Sequence, residues 1–327
     1  MPQTTAVAPS FSSLAAPPVS GAKIRWDAVL TLARFSELAY QDGDEAISAA
    51  KAIGAVDVIP IQSGTHEGLV AADDHAVVIG FRGTVLTNRN HIISDILGFA
   101  RREHGGNVHA GFSIAVGSLY DMATAEARRL GARKKTLWIT GHSLGGAIAA
   151  GFTLKAAREQ GLAVNGIVTF GQPLVMDNAL CEFMLAEFKD RYLRIVNGSD
   201  IVARLVDSYR HSGARARLTG DGEYEWRPPM VAPTAAAPDS RRNRRRQERQ
   251  QEQMLIVDEP DPDLQLISEA EALDLERQLQ AEQNAPMGAP GAVGWSPFSS
   301  LTDHMMAGYV QRITEIAKQR QAVGQTC

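Results

Sequence analysis

Apolar residues recur along this chain in two alternating rhythms. Between residues 26 and 40, Ala28, Leu32, Phe35 and Leu38 fall on one face of a helix. Residues 56–61 and 76–81 are short runs rich in Val and Ile, and they predict strands. Residues 91–99 form a short amphipathic segment carrying Ile92, Ile93, Ile96 and Phe99, and a helical pattern follows over 111–130. Then a strand at 135–140 leads at once into helical residues 144–160. A strand at 166–170, a helix at 178–188 and a strand at 192–196 repeat the order. Asp303 stands where a side chain caps a last helix reaching about residue 319. Strands alternating with helices imply right-handed crossovers and a mostly parallel sheet covered on both faces. The predicted class is α/β.

Composition refines this picture at the ends and in one internal stretch. The chain has 327 residues, 44% of them hydrophobic and 21% charged, which excludes collagen-like and wholly disordered classes. No run approaches the ~20 apolar residues of a membrane-spanning helix. Lys plus Arg number 33 against 37 Asp plus Glu, so charge gives no reason to expect nucleic acid as the main partner. Cys181 and Cys327 make no disulfide framework and no C-x-x-C motif. Residues 1–22 are rich in Ala, Pro, Ser and Thr, and Pro9, Pro17 and Pro18 break any secretory-type apolar run. They predict a flexible tail before a soluble domain, with the compartment left open. Residues 228–298 differ again: six Arg lie within 241–250 and ten acids within 252–283. Such blocks predict a solvated insertion, with one amphipathic helix over 264–279 (Leu264, Ile267, Leu273, Leu279). Contact of the Arg run with acidic lipid or nucleic acid is the alternative. The folded domain is thus expected over 23–227 and 299–327.

The strongest local feature is the pentapeptide Gly141-His142-Ser143-Leu144-Gly145, G-x-S-x-G, placed where a strand ends and a helix begins. A serine on so sharp a turn has strained backbone angles, and its flanking chain crosses itself closely. Gly141 and Gly145 remove the side chains that would collide there. Oγ of Ser143 then stands at a helix N-terminus, whose amides face developing negative charge. A phosphate cradle is excluded, because Ala147 stands where that motif needs Lys.

A serine needs a base and an orienting acid to act as a nucleophile. In this architecture the order is Ser, then acid, then His. Asp200, directly after the 192–196 strand, is the best-placed acid; Asp177 and Asp207 are rivals. His211 and His304 remain as bases. His211 follows Asp200 by too few residues for a crossover, which favours His304 and leaves His211 a structural role near the site. The backbone N–H of Leu144 and that of Thr84, after the 76–81 strand, are the candidate oxyanion donors. The chemistry requires no cofactor, and no histidine pair has zinc-like spacing.

These residues, together with Ala39-Tyr40, Phe81-Arg82-Gly83-Thr84, Val108-His109-Ala110-Gly111-Phe112, Thr169-Phe170-Gly171-Gln172-Pro173 and Asp303-His304 with Tyr309, resemble the class 3 lipase family, the fungal-type triacylglycerol lipases and their relatives. The resemblance covers residues 25–210 and 300–320. It implies an α/β-hydrolase fold, Ser143 as nucleophile, Asp200 as acid, His304 as base, and Thr84 and Leu144 at the oxyanion hole. It also implies that Asp95 steadies the Thr84 loop. Residues 87–102 would be a lid whose apolar face, Ile92, Ile93, Ile96 and Phe99, closes on the groove. Ala203 and Leu174 depart from the Pro and Arg usual in the family. The expected activity is ester hydrolysis on lipid or small ester substrates, at a lipid–water interface in the lipase case. Acylglycerols lead, with phospholipids or short soluble esters as alternatives. A catalytically silent lipid- or protein-binding relative is the reading from another class.

Overall fold

A computed structural model describes residues 7–83, 110–159, 161–176, 178–205, 210–229 and 303–323, with a few positions between 268 and 277. The apolar runs form one eight-stranded sheet whose spatial order follows the sequence: β3 (Asp57–Ser63), β4 (His66–Ala72), β5 (Ala76–Phe81), β6 (Thr136–His142), β7 (Gly166–Phe170), β8 (Tyr192–Asn197), β9 (Ala214–Leu218) and β10 (Tyr224–Arg227). From β5 to β9 every pairing is parallel. The two edges, β3–β4–β5 and β9–β10, are antiparallel. A small ribbon of β1 (Val19–Ser20) and β2 (Lys23–Ile24) lies outside the sheet.

Stepping along the sheet in one direction with right-handed crossovers puts successive helices on the same face. Accordingly α3 (Ala110–Arg129), α4 (Leu144–Glu159) and α5 (Asn178–Phe188) contribute to one apolar cluster, with Val77, Ile79, Leu137, Ile139 and Ile167 beneath them. Alternate strand residues, Val78, Trp138, Val168 and Leu193, face the other way, against α1 (Trp26–Leu38) and α6 (Met306–Ala322). The period-two alternation of a strand thus feeds two cores. Helix α2 (Gly43–Ala52) precedes the first edge strand.

Strands β4, β9 and β10 and helix α2 had no counterpart in the sequence reading. β4 is buried along Gly68–Ala72 but contains Gly and Ala in place of a β-branched run, so it gave little strand signal. The flexible tail expected for residues 1–22 is corrected from residue 7 onward. Phe11 and Leu14 are fully buried, Phe11 meets Phe35 edge-on at 5.7 Å, and Trp138 Nε1 donates to Leu14 O at 3.0 Å. Two large apolar side chains outweigh a Pro/Ser-rich composition once a partner face exists. Asp303 does not cap the last helix, whose N-cap is Met305. Within 264–279, the described positions Ala270, Glu271, Leu273, Asp274 and Arg277 are helical, and Ser268 and Glu271 form a capping box. The rest of the 228–298 segment, beyond residue 229, lies outside the described residues.

Candidate active site

The carboxyl ends of β5, β6, β7 and β8 converge on one place, and the elbow at the end of β6 is its centre. Ser143 is the one non-glycine with positive φ among the described residues, at 58°. Its amide donates to Phe170 O at 2.9 Å, and its carbonyl accepts from Gly146 N at 2.9 Å, so the strained residue opens α4. A Cβ on Gly141 would collide with the Gly145 carbonyl, and one on Gly145 would collide with Phe81 O and stand 2.8 Å from the Arg82 carbonyl carbon. The two glycines therefore do what the sequence required. Gly145 also lets the end of β5 press against the elbow, which carries Gly83 alongside Ser143: a Cβ on Gly83 would meet Tyr40 Oη and lie 3.3 Å from Ser143 Cβ. Leu144 opens the helix, so its amide has no intrahelical acceptor.

Asp200 follows β8 and is completely buried. Its carboxylate meets His304 Nδ1 at 2.9 Å through either oxygen. It also accepts from Val202 N at 2.8 Å and from Tyr309 Oη at 2.5 Å. Burial pushes the Asp200 pKa up, but the facing His304 charge and the hydrogen bonds from His304 and Tyr309 more than reverse this, holding it below the usual carboxylate value. Burial, with the Asp200 charge beside it, drives the Tyr309 phenol well above its ordinary value, so it stays a donor. Asp200 can only accept, so in the neutral form of the imidazole the proton belongs on His304 Nδ1 and Nε2 carries the lone pair. Ser143 Oγ and His304 Nε2 are both buried, and neither has a hydrogen-bond partner among the described residues. Buried polar atoms are almost always paired, so two without a partner at one place call for an explanation.

The loops bearing Asp200 and His304 are tied together by their neighbours. Asp303 Oδ2 accepts from Ser199 N at 2.8 Å, Asn197 Nδ2 donates to Asp303 O at 2.8 Å, and Arg312 pairs with Asp303 at 3.3 Å. This is why Asp303 is unavailable as a helix cap. Gly171, φ 55°, passes directly under the pair: a Cβ there would stand 2.6 Å from Asp200 Oδ2 and 2.9 Å from His304 Nδ1.

His142, the variable residue of the pentapeptide, stacks on the His304 ring with centroids 4.6 Å apart. Its Nε2 lies 2.7 Å from His304 O, and its Nδ1 lies 2.9 Å from Tyr40 Oη. Burial, then the charge of His304, lowers its pKa to about 3, so it is neutral. A carbonyl can only accept, which puts the single proton on Nε2 and leaves Nδ1 to accept from the Tyr40 phenol.

The predicted residues Ser143, Leu144, Gly141, Gly145, Asp200 and His304 are thus brought together. His211 is not among them: β9 begins three residues later, and its Nε2 is bonded to Ala203 O at 2.8 Å. Thr84, Asp95 and the lid residues Ile92, Ile93, Ile96 and Phe99 lie outside the described residues, as do the rival acids Asp177 and Asp207. His142, Gly171 and Tyr309 have no role that the sequence alone assigns. All three touch the Asp200–His304 pair, and the signal for each was its place in a short motif at a strand end or beside the histidine. Among the described residues no group of three or more His, Cys, Asp or Glu side chains is arranged to hold a metal ion. No described helix is long and apolar enough to cross a membrane. A surface cleft between Arg34, Glu37, Val310 and Lys318 contains none of the residues above.

The chain is similar to several known proteins. Residues 78–209 match the family model for lipase (class 3). Triacylglycerol lipase OBL1 of Arabidopsis thaliana is 43% identical over 87 residues, covering 23% of this chain and 17% of the length of that relative. Among solved structures, a triacylglycerol lipase whose catalytic centre is a serine-protease triad aligns over 66% of this chain and 91% of its own, with TM-score 0.52 and 22% identity. A mutant of MDLA from Penicillium cyclopium aligns over 63% and 86%, with TM-score 0.52 and 18% identity. The Lip2 lipase of Yarrowia lipolytica aligns over 63% and 84%, with TM-score 0.50 and 18% identity. The fold is that of the α/β-hydrolases.

Proposed function

We propose that this chain, whose residues 78–209 match the model for lipase (class 3), is a serine carboxylester hydrolase acting on acylglycerols. The observation that supports this most is the buried line Asp200–His304, bonded at 2.9 Å, ending in an unpartnered Nε2 beside an elbow whose Ser143 Oγ is also unpartnered. In the reaction His304 Nε2 takes the proton of Ser143 as Oγ attacks the ester carbonyl. Asp200 holds the imidazole and stabilises its cation. The amides of Leu144 and Thr84 receive the tetrahedral oxyanion, with Asp95 steadying the loop. His304 then protonates the departing alcohol, and water, activated by the same imidazole, releases the acid. The hydrolase domain runs over 23–227 and 299–327, extended by the packed segment from residue 7, with 228–298 inserted between acid and base. Labelling by a fluorophosphonate, together with hydrolysis of a triacylglycerol emulsion, tests the reading. Both should occur in the native chain and both should vanish in Ser143→Ala, with kcat falling on the order of 10⁴-fold or more. Hydrolysis that survives this substitution would sink it.

A further inference from the structure

One chain of polar contacts at the site is left unused by that mechanism. It runs from the loop after β5 to the backbone of the histidine itself. Tyr40 Oη lies against Gly83 so closely that a Cβ there would overlap it. Tyr40 Oη reaches His142 Nδ1 at 2.9 Å, and His142 Nε2 reaches His304 O at 2.7 Å. Four distant stretches of sequence, at residues 40, 83, 142 and 304, are joined by two side chains.

We propose that Tyr40 and His142 form a positioning strut that holds the Gly83 loop and the His304 imidazole in register across the elbow. This rests on the reading of Ser143, Asp200 and His304 as a triad. Three features separate the strut from ordinary packing. First, the roles along it are complementary: the carbonyl only accepts, the neutral imidazole donates from Nε2 and accepts at Nδ1, and the phenol donates to Nδ1 at 2.9 Å, with His142 O the longer alternative at 3.4 Å. Second, His142 grips His304 twice, through its carbonyl and through the stacked ring, so any shift of His142 is passed to Nε2 of His304. Third, the other end is Gly83, which immediately precedes Thr84, the residue given an oxyanion role in the proposed mechanism. Acyl transfer needs the base and the oxyanion donor placed about one point in space, and a mismatch of about 1 Å costs on the order of 10²-fold. The strut links one to the other without touching substrate.

The test uses the full chain and a short soluble ester, p-nitrophenyl butyrate, with three variants: Tyr40→Phe, His142→Gln and the double substitution. Tyr40→Phe should lower kcat by about 10- to 100-fold with KM changed less than about twofold. Affinity for an alkyl boronic acid, which mimics the tetrahedral adduct, should fall in parallel with kcat/KM. His142→Gln retains a donor at the Nε2 end but loses the ring, and should fall in the same range. The double variant should be within about threefold of the poorer single, because a line cut twice is no more broken than one cut once. Losses that multiply, a KM effect with kcat intact, or a fully active Tyr40→Phe would each overturn the strut. If Tyr40→Phe fails to fold, His142→Gln carries the same kcat, KM and boronate readouts, and full activity in it overturns the proposal. Hydrolysis surviving in Ser143→Ala would remove the triad reading and the strut with it. An inactive Ser143→Ala beside a fully active Tyr40→Phe would remove the strut alone.

Discussion

Gly171 lies so close beneath His304 that one added methyl group would stand 2.9 Å from its Nδ1 and 2.6 Å from the Asp200 carboxylate. The backbone there also has φ 55°, a conformation that costs an L side chain roughly 1–2 kcal/mol. Gly171→Ala should therefore push the imidazole off its line to Ser143. We expect kcat to fall on the order of 10²-fold with a melting temperature only a few degrees lower. Steady-state kinetics and a thermal melt on the same preparation check this, and unchanged kcat would mean the pair relaxes freely.

The two candidate histidines should rank far apart. His304→Ala removes the base and should cost on the order of 10⁴-fold in kcat. His211 donates to Ala203 O, within the turn 202–204 that follows Asp200, so its loss should loosen that turn and cost less than about tenfold. Parallel assays on one ester decide it; the reverse ranking would reassign the base.

What the sequence made legible follows from what local chemistry constrains. The elbow was readable because sterics demand glycine on both sides of Ser143, and the Asp200–His304 pairing was readable because chain order and crossover length leave few choices. His142, Gly171 and Tyr309 were not readable in the same way. Each matters through contact with His304 or Asp200 across at least 29 positions of sequence, and nothing local distinguishes a histidine that grips a carbonyl from one that faces water. β4 was missed for a related reason: Gly68, Ala71 and Ala72 have weak strand preference, and pairing with β3 and β5 decides their state.

Phe11 shows the same override in energetic form. Its segment reads as tail-like, but the ring is fully buried against Phe35 and its amide bonds Ile53 O at 2.8 Å. Phe11→Ala should destabilise the fold by about 3–5 kcal/mol, the range for a buried aromatic truncated to a cavity. Urea unfolding reads this directly. Because α1 carries no proposed catalytic group, kcat well below the melting range should stay near the native value. A loss under about 0.5 kcal/mol would mean that the segment contributes little to the core.

Two histidines packed within the fold, His142 buried and His211 half-buried, should make it acid-sensitive well above the carboxylate range. Burial, then the charge of His304, lowers His142 to about 3, with Asp200, Tyr40 and Tyr309 the other groups facing it. Burial, then Arg194, with Arg215 adding to it, lowers His211 well below 6.5. Unfolded, both titrate near 6.5. Below that pH the unfolded chain binds protons that the folded chain does not, so stability falls as pH drops from about 6.5 toward 3. Each histidine contributes a slope of up to ~1.4 kcal/mol per pH unit. Asp200, held below its usual value, adds a loss only at lower pH still, as its carboxylate protonates. Urea midpoints measured between pH 7 and 4 should decline, and His211→Gln, which retains a donor toward Ala203 O, should flatten that decline by about one proton. An equally steep decline in this variant would show that His211 takes up its proton in the folded state.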